Sequence, residues 1–330
     1  MAESILDVVG IGNAIVDVLT HETDAGLARL GLAKGAMTLI DEHQAHRLYE
    51  AMGPALEVSG GSAANTMAGI ASFGGRAAFV GKVRNDQLGG IFRHDIRAAG
   101  VDFDTPAAEG GSPSARCLIF VTPDAQRTMQ TYLGAAVELG VEDIDATLIK
   151  GAAVTYLEGY LWDSPKAREA LVKAAHIAHE AGRKVAFTLS DPFCVDRHRE
   201  AFRAFVAHHV DILFANEAEI ESLYLAGSFD QALQAVRGAC EIAALTRSAK
   251  GAVVLRDSEL HVIDAAPVKQ VVDTTGAGDL YAAGFLYGLT QGKDLGAAGR
   301  LGALAAAEVI SHFGARPELP LAELLAAQPA

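Results

Sequence analysis

AVTYL at residues 153–157, PKAREALVKAAHIAHEA at 165–181 and VAFTL at 185–189 follow one another along the chain. The two short runs are apolar and β-prone, whereas the alanine-rich middle segment has a helical pattern. Further strand-like runs lie at 5–11, 77–80, 212–215, 242–245 and 252–255, and further helical patterns at 63–73, 88–99, 198–208 and 217–225. This alternation predicts βαβ units, with helices covering a mostly parallel sheet. Ligands are then expected at the carboxyl ends of the strands.

Two segments depart from this alternation. Residues 17–40 are turn-rich and mixed, and residues 115–132 contain two strand-like runs joined at Pro123-Asp124, which predicts a hairpin. Together they predict a small accessory sheet. Residues from 282 to about 325 are rich in Ala, Gly and Leu and predict close-packed helices, broken at Gly314 and Pro317.

The composition excludes several classes of protein. The 330 residues include 41 acidic and 27 basic side chains, a formal net charge of −14, and half of them are apolar. This acidic balance disfavours a nucleic-acid partner, because phosphate binders concentrate Lys and Arg. Uninterrupted apolar stretches stay below the roughly 18 residues of a bilayer span, and Glu3 and Asp7 stand where a signal peptide carries positive charge. Cys117, Cys194 and Cys240 have no disulfide or zinc-site spacing, so reduced thiols and a cytoplasmic location are expected, without membrane or nucleic-acid partners.

The stretch VVDTTGAGDLYAAGF at 271–285 carries the clearest chemical signal. A β-prone pair runs into Gly276-Ala277-Gly278, and Asp279 then stands at the mouth of an alanine-rich helix. Converging backbone N–H groups and the helix dipole make such a turn suitable for an anion or a developing phosphoryl charge. A carboxylate there would repel a bound phosphate, but it can accept the proton of a hydroxyl that attacks phosphorus. An N-capping aspartate after a glycine turn is the alternative.

Other glycine-rich stretches lack the spacing of known motifs. The dinucleotide fingerprint needs a glycine where Ile15 stands. A Walker loop would need a glycine in place of Arg76 and a hydroxyl residue in place of Val83. A hydrolase nucleophile elbow at Ser62 would need a glycine in place of Ala64. Hydride transfer, a P-loop nucleotide site and serine hydrolysis are therefore disfavoured.

Two further polar clusters lie at predicted helix starts. In GGSAAN at 60–65, two glycines open a helix whose first turn presents Asn65, and an amide suits vicinal hydroxyls because it both donates and accepts. Asp17, after the first strand, supplies a further acceptor. In DILFANEAE at 211–219, Asn216 and Glu219 follow a buried strand, so both can reach one hydrated cation or phosphate. An exposed helix position for Asn65 and a plain capping box for Asn216 and Glu219 are the alternatives.

These clusters, in this order, resemble the ribokinase-like (pfkB) family of carbohydrate and nucleoside kinases over nearly the whole chain. The heptad DTTGAGD at 273–279 is the most specific feature. RTMQTYLGAA at 127–136, TLSDPF at 188–193, DILFANE at 211–217 and AEVISHFGARP at 307–317 look most like the adenosine kinases of that family. The resemblance implies a three-layer α/β/α core in a single domain, 1–330, with a small β-sheet lid from about 16–41 and 102–135. Closure of such a lid would exclude water.

By position, the resemblance assigns roles to individual residues. Asp279 is then the base that removes the proton of a 5′-hydroxyl, and Gly276, Ala277 and Gly278 form the anion hole. The implied substrate contacts are Asp17, Gly61, Ser62, Asn65, Leu133 and Ala135. The implied ATP contacts are Asn216, Glu219, Thr246, Gly251, Thr274 and Gly278, with Ser248 at the middle glycine position of a T-x-G-x-x-G nucleotide loop.

The resemblance also implies cofactors and a reaction. Asn216 and Glu219 would organise Mg²⁺ and the ATP phosphates through water, and Asp273 and Thr275 lie where many family members bind a monovalent cation such as K⁺. The implied reaction is ATP-dependent phosphorylation of the adenosine 5′-hydroxyl, giving AMP and ADP. A kinase for another nucleoside or for a free sugar such as ribose or fructose, and a catalytically silent sensor, are the alternatives. A monomer is expected, with a dimer through exposed lid edges as the alternative.

Overall fold

Two β-sheets organise the chain in a computed structural model, which describes residues 6–124 and 126–327. In chain order the strands of the described residues are β1 (Leu6–Ile11), β2 (Ile15–His21), β3 (Met37–Leu39), β4 (Leu56–Gly60), β5 (Ala77–Val80), β6 (Val101–Asp102), β7 (Ala115–Val121), β8 (Arg127–Tyr132), β9 (Ala152–Glu158), β10 (Lys184–Thr188), β11 (Ile212–Asn216), β12 (Ile242–Thr246), β13 (Ala252–Arg256) and β14 (Glu259–Ile263). The α-helices are α1 (Asp24–Leu30), α2 (Glu42–Ala51), α3 (Ser62–Ser72), α4 (Gln87–Ala98), α5 (Ala146–Gly151), α6 (Pro165–Glu180), α7 (Pro192–His209), α8 (Glu217–Tyr224), α9 (Phe229–Val236), α10 (Ala277–Thr290), α11 (Leu295–Val309) and α12 (Leu321–Ala326). Glu3 and Ile5 lie outside the described residues, so the expected strand at 5–11 is seen as β1 from Leu6.

The larger sheet confirms the predicted parallel core. Its order is β14-β13-β12-β11-β10-β9-β1-β5-β6. Every pairing from β12 through to β6 is parallel, and only β13 and β14 join antiparallel at one edge of the described sheet. Strand β1 is buried along its whole length and is apolar except for Asp7, whose Oδ2 accepts from Arg76 N at 2.7 Å. Such burial is typical of a central parallel strand.

Helices cover both faces of this sheet, as the resemblance implies. Val8 and Val9 are neighbours in β1, yet their side chains enter different hydrophobic cores because successive strand residues point to opposite faces. The core around Val8 includes apolar side chains of α3, α4, α10 and α11, and the core around Val9 includes those of α5 to α9. The three-layer α/β/α architecture is therefore confirmed.

The second sheet is built around the predicted hairpin. Its order is β3-β8-β7-β2-β4, and β7 pairs antiparallel with β8 across the turn at Pro123 and Asp124. Strands β2, β3, β7 and β8 come from the two irregular segments. Strand β4 lies outside them and pairs antiparallel with β2, so this sheet is larger than those two segments alone predict.

Two helical regions differ in detail from the sequence expectation. Helix α7 begins at Pro192, because proline is accommodated in a first helical turn and Asp191 caps the helix by accepting from Cys194 N at 2.6 Å. The helix is kinked at His198, which has φ −123° and ψ 15°, so the segment expected from 198 is its second part. The C-terminal helices are broken around Gly314 and Pro317 as expected, and a further loop at 291–294 separates α10 from α11. Within residues 6–124 and 126–327, no helix has both the length and the apolar character needed to cross a bilayer.

The three cysteines all lie in the described residues and are free thiols, as predicted. Burial raises the pKa of Cys117, Cys194 and Cys240 to about 12 in each case. Thiolates are therefore scarce at neutral pH, which fits packing residues rather than reactive ones.

Candidate active site

The predicted polar clusters meet at the carboxyl edge of the larger sheet. Strands β9, β11 and β12 run parallel, so their ends at Glu158, Asn216 and Thr246 lie on the same side. Asn216 and Thr246 are direct register partners in β11 and β12. Helices α3 and α10 begin near this edge, and their close approach depends on Gly69, where a Cβ would lie 2.6 Å from the Cβ of Ala283. The sheet thus gathers residues that are far apart in sequence.

Asp279 is held between the starts of two helices. Ser62 Oγ donates to Asp279 Oδ1 at 2.6 Å, and Asn65 Nδ2 donates to Asp279 Oδ2 at 3.0 Å. Burial raises the pKa of the half-buried Asp279, while these two hydrogen bonds and the charge of Arg316 oppose the rise. The carboxylate is therefore oriented, and it is a stronger base than an exposed aspartate.

The glycine turn before Asp279 keeps an open helix N-terminus. Gly276 is the N-cap of α10 with φ +77°, and no side chain caps the helix. A Cβ on Gly276 would lie 2.9 Å from the Cα of Ala315, so glycine is needed there for both its conformation and its size. A Cβ on Gly278 would meet nothing within 4 Å, which leaves room for a ligand. Ala277 N bonds back to the carbonyl of the exposed Thr274 at 3.3 Å, which closes the turn.

A second glycine turn packs against Asp17. A Cβ on Gly60 would lie 2.4 Å from the carboxylate of Asp17, and one on Gly61, which has φ +97°, would lie 2.2 Å from the carbonyl oxygen of Asn13. Burial raises the pKa of Asp17 to about 7, Arg316 and Arg127 counteract this, and Asp279 adds to it. Asp17 and Asp279 therefore act on one another electrostatically, as two carboxylates of one site would.

Asn216 and Glu219 form a reciprocal cap at the start of α8. Glu219 N donates to Asn216 Oδ1 at 2.9 Å, Asn216 N donates to Glu219 Oε2 at 2.9 Å, and Asn216 Nδ2 donates to Glu219 Oε1 at 2.6 Å. Burial raises the pKa of Glu219 to about 7, and Asp279 is among the charges that raise it further. The capping-box interpretation is thus present in the structure, and it places a carboxylate within the electrostatic range of Asp279.

These residues fit Mg²⁺ only through water. Within residues 6–124 and 126–327, no group of three or more His, Cys, Asp or Glu side chains could hold a metal ion directly. Each Glu219 oxygen accepts one hydrogen bond and keeps further acceptor capacity. Since Mg²⁺ retains several waters and binds one or two carboxylates together with substrate phosphates, this donor set suits a hydrated Mg²⁺.

The nucleotide-loop residues keep the backbone of a glycine loop. Ser248 stands at the middle glycine position but has φ +51°, a left-handed conformation that glycine favours. Gly251 has φ +79°, and a Cβ there would lie 1.9 Å from the carbonyl oxygen of Ile263. Arg247 N closes the loop by donating to Gly251 O at 2.7 Å. At Ser248 the loop from Thr246 to Gly251 therefore adopts a backbone conformation that a glycine would also adopt.

N–H donors fill the positions expected for a monovalent cation. Arg127 of β8 pairs with Asp273, both side chains being less than a tenth exposed, and Arg127 Nη1 donates to Thr275 Oγ1 at 2.8 Å. Asp273 also accepts from the backbone N atoms of Thr275 and Gly314, each at 3.0 Å. The carbonyl of Ile310 accepts from two backbone N–H groups, at 2.8 and 3.3 Å. These oxygens are engaged by a guanidinium and by amides, so the set does not fit a monovalent cation in this arrangement.

Leu133 and Ala135 lie after β8, beside the second sheet. Leu133 is half-buried at the start of the 3₁₀ turn Gly134–Glu138. Ala135 is fully buried, and its backbone N donates to Pro113 O at 2.9 Å. Of this pair, Leu133 has surface that a ligand can touch.

Glu158 is a positioning residue that the sequence interpretation missed. It is buried at the end of β9, where Oε2 accepts from Ala63 N at 2.9 Å and Oε1 accepts from Asn13 Nδ2 at 2.7 Å. Burial raises its pKa to about 7, although these hydrogen bonds oppose the rise. Because Ala63 lies in the first turn of α3, Glu158 fixes the helix start that presents Ser62 and Asn65 to Asp279. An acidic residue ending a strand carries no motif, so only its packing reveals this role.

We expect Glu158→Ala to lower the free energy of unfolding by about 3 kcal/mol, because it leaves buried N–H donors unpaired and opens a cavity. It should also lower kcat, since Ser62 and Asn65 lose their support. Urea denaturation and steady-state kinetics measure the two effects. Glu200→Ala, at an exposed site on α7, is the matched control and should change neither quantity. Equal stability of the two variants would contradict the role of Glu158.

Known proteins share this architecture. The model of the pfkB family of carbohydrate kinases matches residues 54–322. A crystal structure of adenosine kinase from Sinorhizobium meliloti has a TM-score of 0.91 and 52% sequence identity, covering 97% of this chain and 98% of that one. A crystal structure of a probable sugar kinase protein from Rhizobium etli CFN 42 has a TM-score of 0.91 and 51% identity, covering 98% of both chains. A 5-dehydro-2-deoxygluconokinase from Shouchella clausii is 29% identical over 270 residues, which cover 79% of this chain and 83% of that protein.

The family match spans most of the residues that build the site. It includes the Gly60-Gly61 turn, the Asn216–Glu219 cap and the DTTGAGD heptad, and it confirms the predicted ribokinase-like fold. The relatives include proteins named for both nucleoside and sugar acceptors. The chain therefore belongs to the pfkB family of carbohydrate kinases and is an ATP-dependent phosphotransferase that acts on a sugar or nucleoside.

Proposed function

We propose that this enzyme transfers the γ-phosphoryl group of ATP to the 5′-hydroxyl of adenosine, giving AMP and ADP. The observation that carries the phosphoryl transfer is the placement of Asp279, which Ser62 and Asn65 hold beside the uncapped N-terminus of α10. The choice of adenosine is supported by 52% identity, over 97% of the chain, to the Sinorhizobium meliloti adenosine kinase.

In the proposed reaction Asp279 accepts the proton of the attacking hydroxyl as the oxygen–phosphorus bond forms and the bond to the ADP oxygen breaks. The N–H groups at Gly276 and Gly278 then stabilise the charge on the transferring group, and the Ala277 N–H would join them by exchanging its 3.3 Å bond to the Thr274 carbonyl. Asp17 and Asn65 hold the ribose hydroxyls, and Leu133 offers apolar surface to the base. Asn216 and Glu219 would hold hydrated Mg²⁺, which would neutralise phosphate charge when bound. Thr246 to Gly251 carries the nucleotide.

The second sheet acts as a lid in this proposal. Its strands β2 and β4 bring Asp17 and Gly60 to the site, and β8 brings Arg127 to the DTTGAGD turn. A sheet that contributes residues to both the acceptor side and the phosphate side can close over both substrates. Such closure excludes the water that would otherwise compete as acceptor.

A kinase for a free sugar or sugar acid is the second candidate. It is favoured by the similarity to the Rhizobium etli and Shouchella clausii proteins. The test is ADP production from Mg-ATP with adenosine, inosine, guanosine, ribose, fructose and 5-dehydro-2-deoxygluconate in parallel, with an acceptor-free control. The highest kcat/KM for adenosine would support the proposal, and the highest value for a sugar would replace the acceptor but keep the mechanism. Stabilisation by a ligand without turnover would favour a sensor instead.

We expect no requirement for potassium. Because Arg127 already supplies a fixed positive charge to Asp273 and Thr275, replacing tetramethylammonium by K⁺ should change kcat by less than about two-fold. The measurement is initial rate against K⁺ concentration at constant ionic strength. A saturable activation by K⁺ that Na⁺ does not reproduce would show that Arg127 does not replace the cation.

A further inference from the structure

We infer that Arg316 contacts the acceptor substrate directly, donating hydrogen bonds to a substrate hydroxyl whose own proton is donated to Asp17. The inference deepens the proposed function, because it names a residue that selects for a hydroxyl on a neutral acceptor. It depends on that function only for the identity of the acceptor. It rests on the anchoring of the guanidinium, its place in the site and its unpaired donors.

The guanidinium is anchored on one side only. Arg316 Nη2 donates to Ser59 O at 2.9 Å and to Ser59 Oγ at 3.0 Å. Ser59 is itself fixed, since its N and Oγ both donate to Asp95 Oδ2 on α4, at 2.7 and 2.6 Å. This chain of hydrogen bonds holds the arginine in one place before any ligand arrives, which is the preorganisation expected of a binding residue.

The anchored side chain lies between the two glycine turns of the site. The carbonyl of Ser59 belongs to the peptide bond that leads into Gly60, and Gly60 packs against the carboxylate of Asp17. On the other side, Ala315 abuts Gly276 at the start of α10. Arg316 therefore spans the gap between the Asp17 side and the DTTGAGD side. Its charge acts on both Asp17 and Asp279.

The remaining donors of Arg316 have no protein partner. Within residues 6–124 and 126–327, its Nε and Nη1 atoms are buried and find no hydrogen-bond acceptor. Burial lowers its pKa to about 10, so the group is still charged at neutral pH. Leaving donors of a buried cation unpaired is costly, so these two atoms gain from an added hydrogen-bond acceptor. In the described part of the chain, Arg116, Arg247 and Arg256 also have a buried Nε without a hydrogen-bond partner. Arg316 differs from them because its charge acts on both Asp17 and Asp279. A hydrogen-bond acceptor on the ligand can pair with these two donor atoms of Arg316.

The surrounding charges select the kind of acceptor. Asp17 and Asp279 would repel a carboxylate or a phosphate on the acceptor substrate, so the arginine alone does not make this an anion site. A hydroxyl satisfies both sides because it donates one hydrogen bond and accepts others. It can donate to Asp17 and accept from Arg316 at once. The pattern therefore favours a neutral nucleoside or sugar over a sugar acid.

The test compares Arg316→Met with wild type on adenosine, 2′-deoxyadenosine and 3′-deoxyadenosine. We expect KM for adenosine to rise about 10- to 100-fold, with kcat changed less than about three-fold, because a charged hydrogen bond to the substrate is lost. In wild type, kcat/KM for one deoxy analogue should be at least about tenfold lower than for adenosine. In the variant this difference in kcat/KM should largely vanish, as in a double-mutant cycle. Arg300→Met, at an exposed position of α11, is the matched control and should leave all values unchanged.

A purely structural role predicts a different pattern. An equal loss of kcat/KM for all three nucleosides, or an unchanged KM, would overturn the inference. Arg316→Lys keeps the charge and is measured alongside Arg316→Met. It should show the same loss of discrimination between adenosine and its deoxy analogues, and it provides the test if the methionine variant does not fold. If wild type phosphorylates a sugar and not adenosine, the proposed acceptor fails, but KM for that sugar should still rise in the variants. If no acceptor is phosphorylated, the readout is the rise in Tm that adenosine induces. An equal rise in wild type and variant would overturn the inference about Arg316, and a rise that is lost in the variant would support it.

Discussion

Asp279→Asn is expected to lower kcat by about 10³-fold while changing KM for the acceptor by only a few-fold, because a positioned general base contributes about 10² to 10⁴ in rate. Asparagine keeps the size of the side chain and can still accept a hydrogen bond from Ser62 or Asn65. It cannot accept a proton from the attacking hydroxyl. The loss should therefore fall on the chemical step rather than on binding.

The matched control for this variant is Asp294→Asn. Asp294 is exposed and caps α11 by accepting from Ala297 N at 2.7 Å, and asparagine caps a helix about as well as aspartate. The control should therefore keep wild-type kinetics and stability. Single-turnover measurements with saturating Mg-ATP separate chemistry from product release. A kcat above about a tenth of the wild-type value in Asp279→Asn would rule out a general-base role of the size assigned here.

The pH profile gives an independent reading of the same residue. A base must be ionised to act, and burial raises the pKa of Asp279 above the ordinary 3.8 of an aspartate. Rate is therefore lost on acidification at a higher pH than an exposed aspartate would give. In Asp279→Asn the residual rate should lack this acidic limb. An identical limb in both proteins would assign it to another group, such as Asp17, whose pKa is about 7.

The features that local sequence determines were predictable. The turn from Gly276 to Asp279 is formed by consecutive residues. Its glycines and the helix that follows can be predicted without knowing what packs around them. The hairpin of β7 and β8 and the alternating strands of the larger sheet follow from patterns a few residues long. The capping box of Asn216 and Glu219 likewise depends on residues three apart.

The residues that long-range packing determines were not predictable. Glu158 accepts a hydrogen bond from Ala63, 95 positions away in sequence, and Arg316 donates one to Ser59, 257 positions away. Arg127 donates to Thr275, 148 positions away, and so places a guanidinium beside the residues where the resemblance implies a monovalent cation. The spacing of residues within one strand or helix does not predict such contacts, because they form when separate elements converge on one edge of a sheet. In the proposed mechanism these residues orient the groups that the motifs supply.

Gly276→Ala is expected to lower kcat/KM by about 10²-fold, since a displacement of about 1 Å in a positioned group can cost that much. The new methyl would lie 2.9 Å from both the Cα and the Cβ of Ala315, so the turn or the 314–316 segment must shift. The shift moves the N–H groups of Ala277 and Gly278 away from the transferring phosphoryl group. It should also lower the free energy of unfolding by about 2 to 3 kcal/mol, from left-handed strain together with overpacking.

Gly292→Ala separates the two causes, because Gly292 has φ +72°, close to the +77° of Gly276, but a Cβ there meets nothing within 4 Å. It should show only the strain of the left-handed backbone, about 1 kcal/mol of stability, with wild-type kinetics. The comparison uses urea denaturation and steady-state rates on both variants. Equal kinetics in the two would mean that Ala315 gives way without moving the anion hole. A loss confined to Gly276→Ala would show that the contact with Ala315 holds the N–H groups where the phosphoryl group needs them.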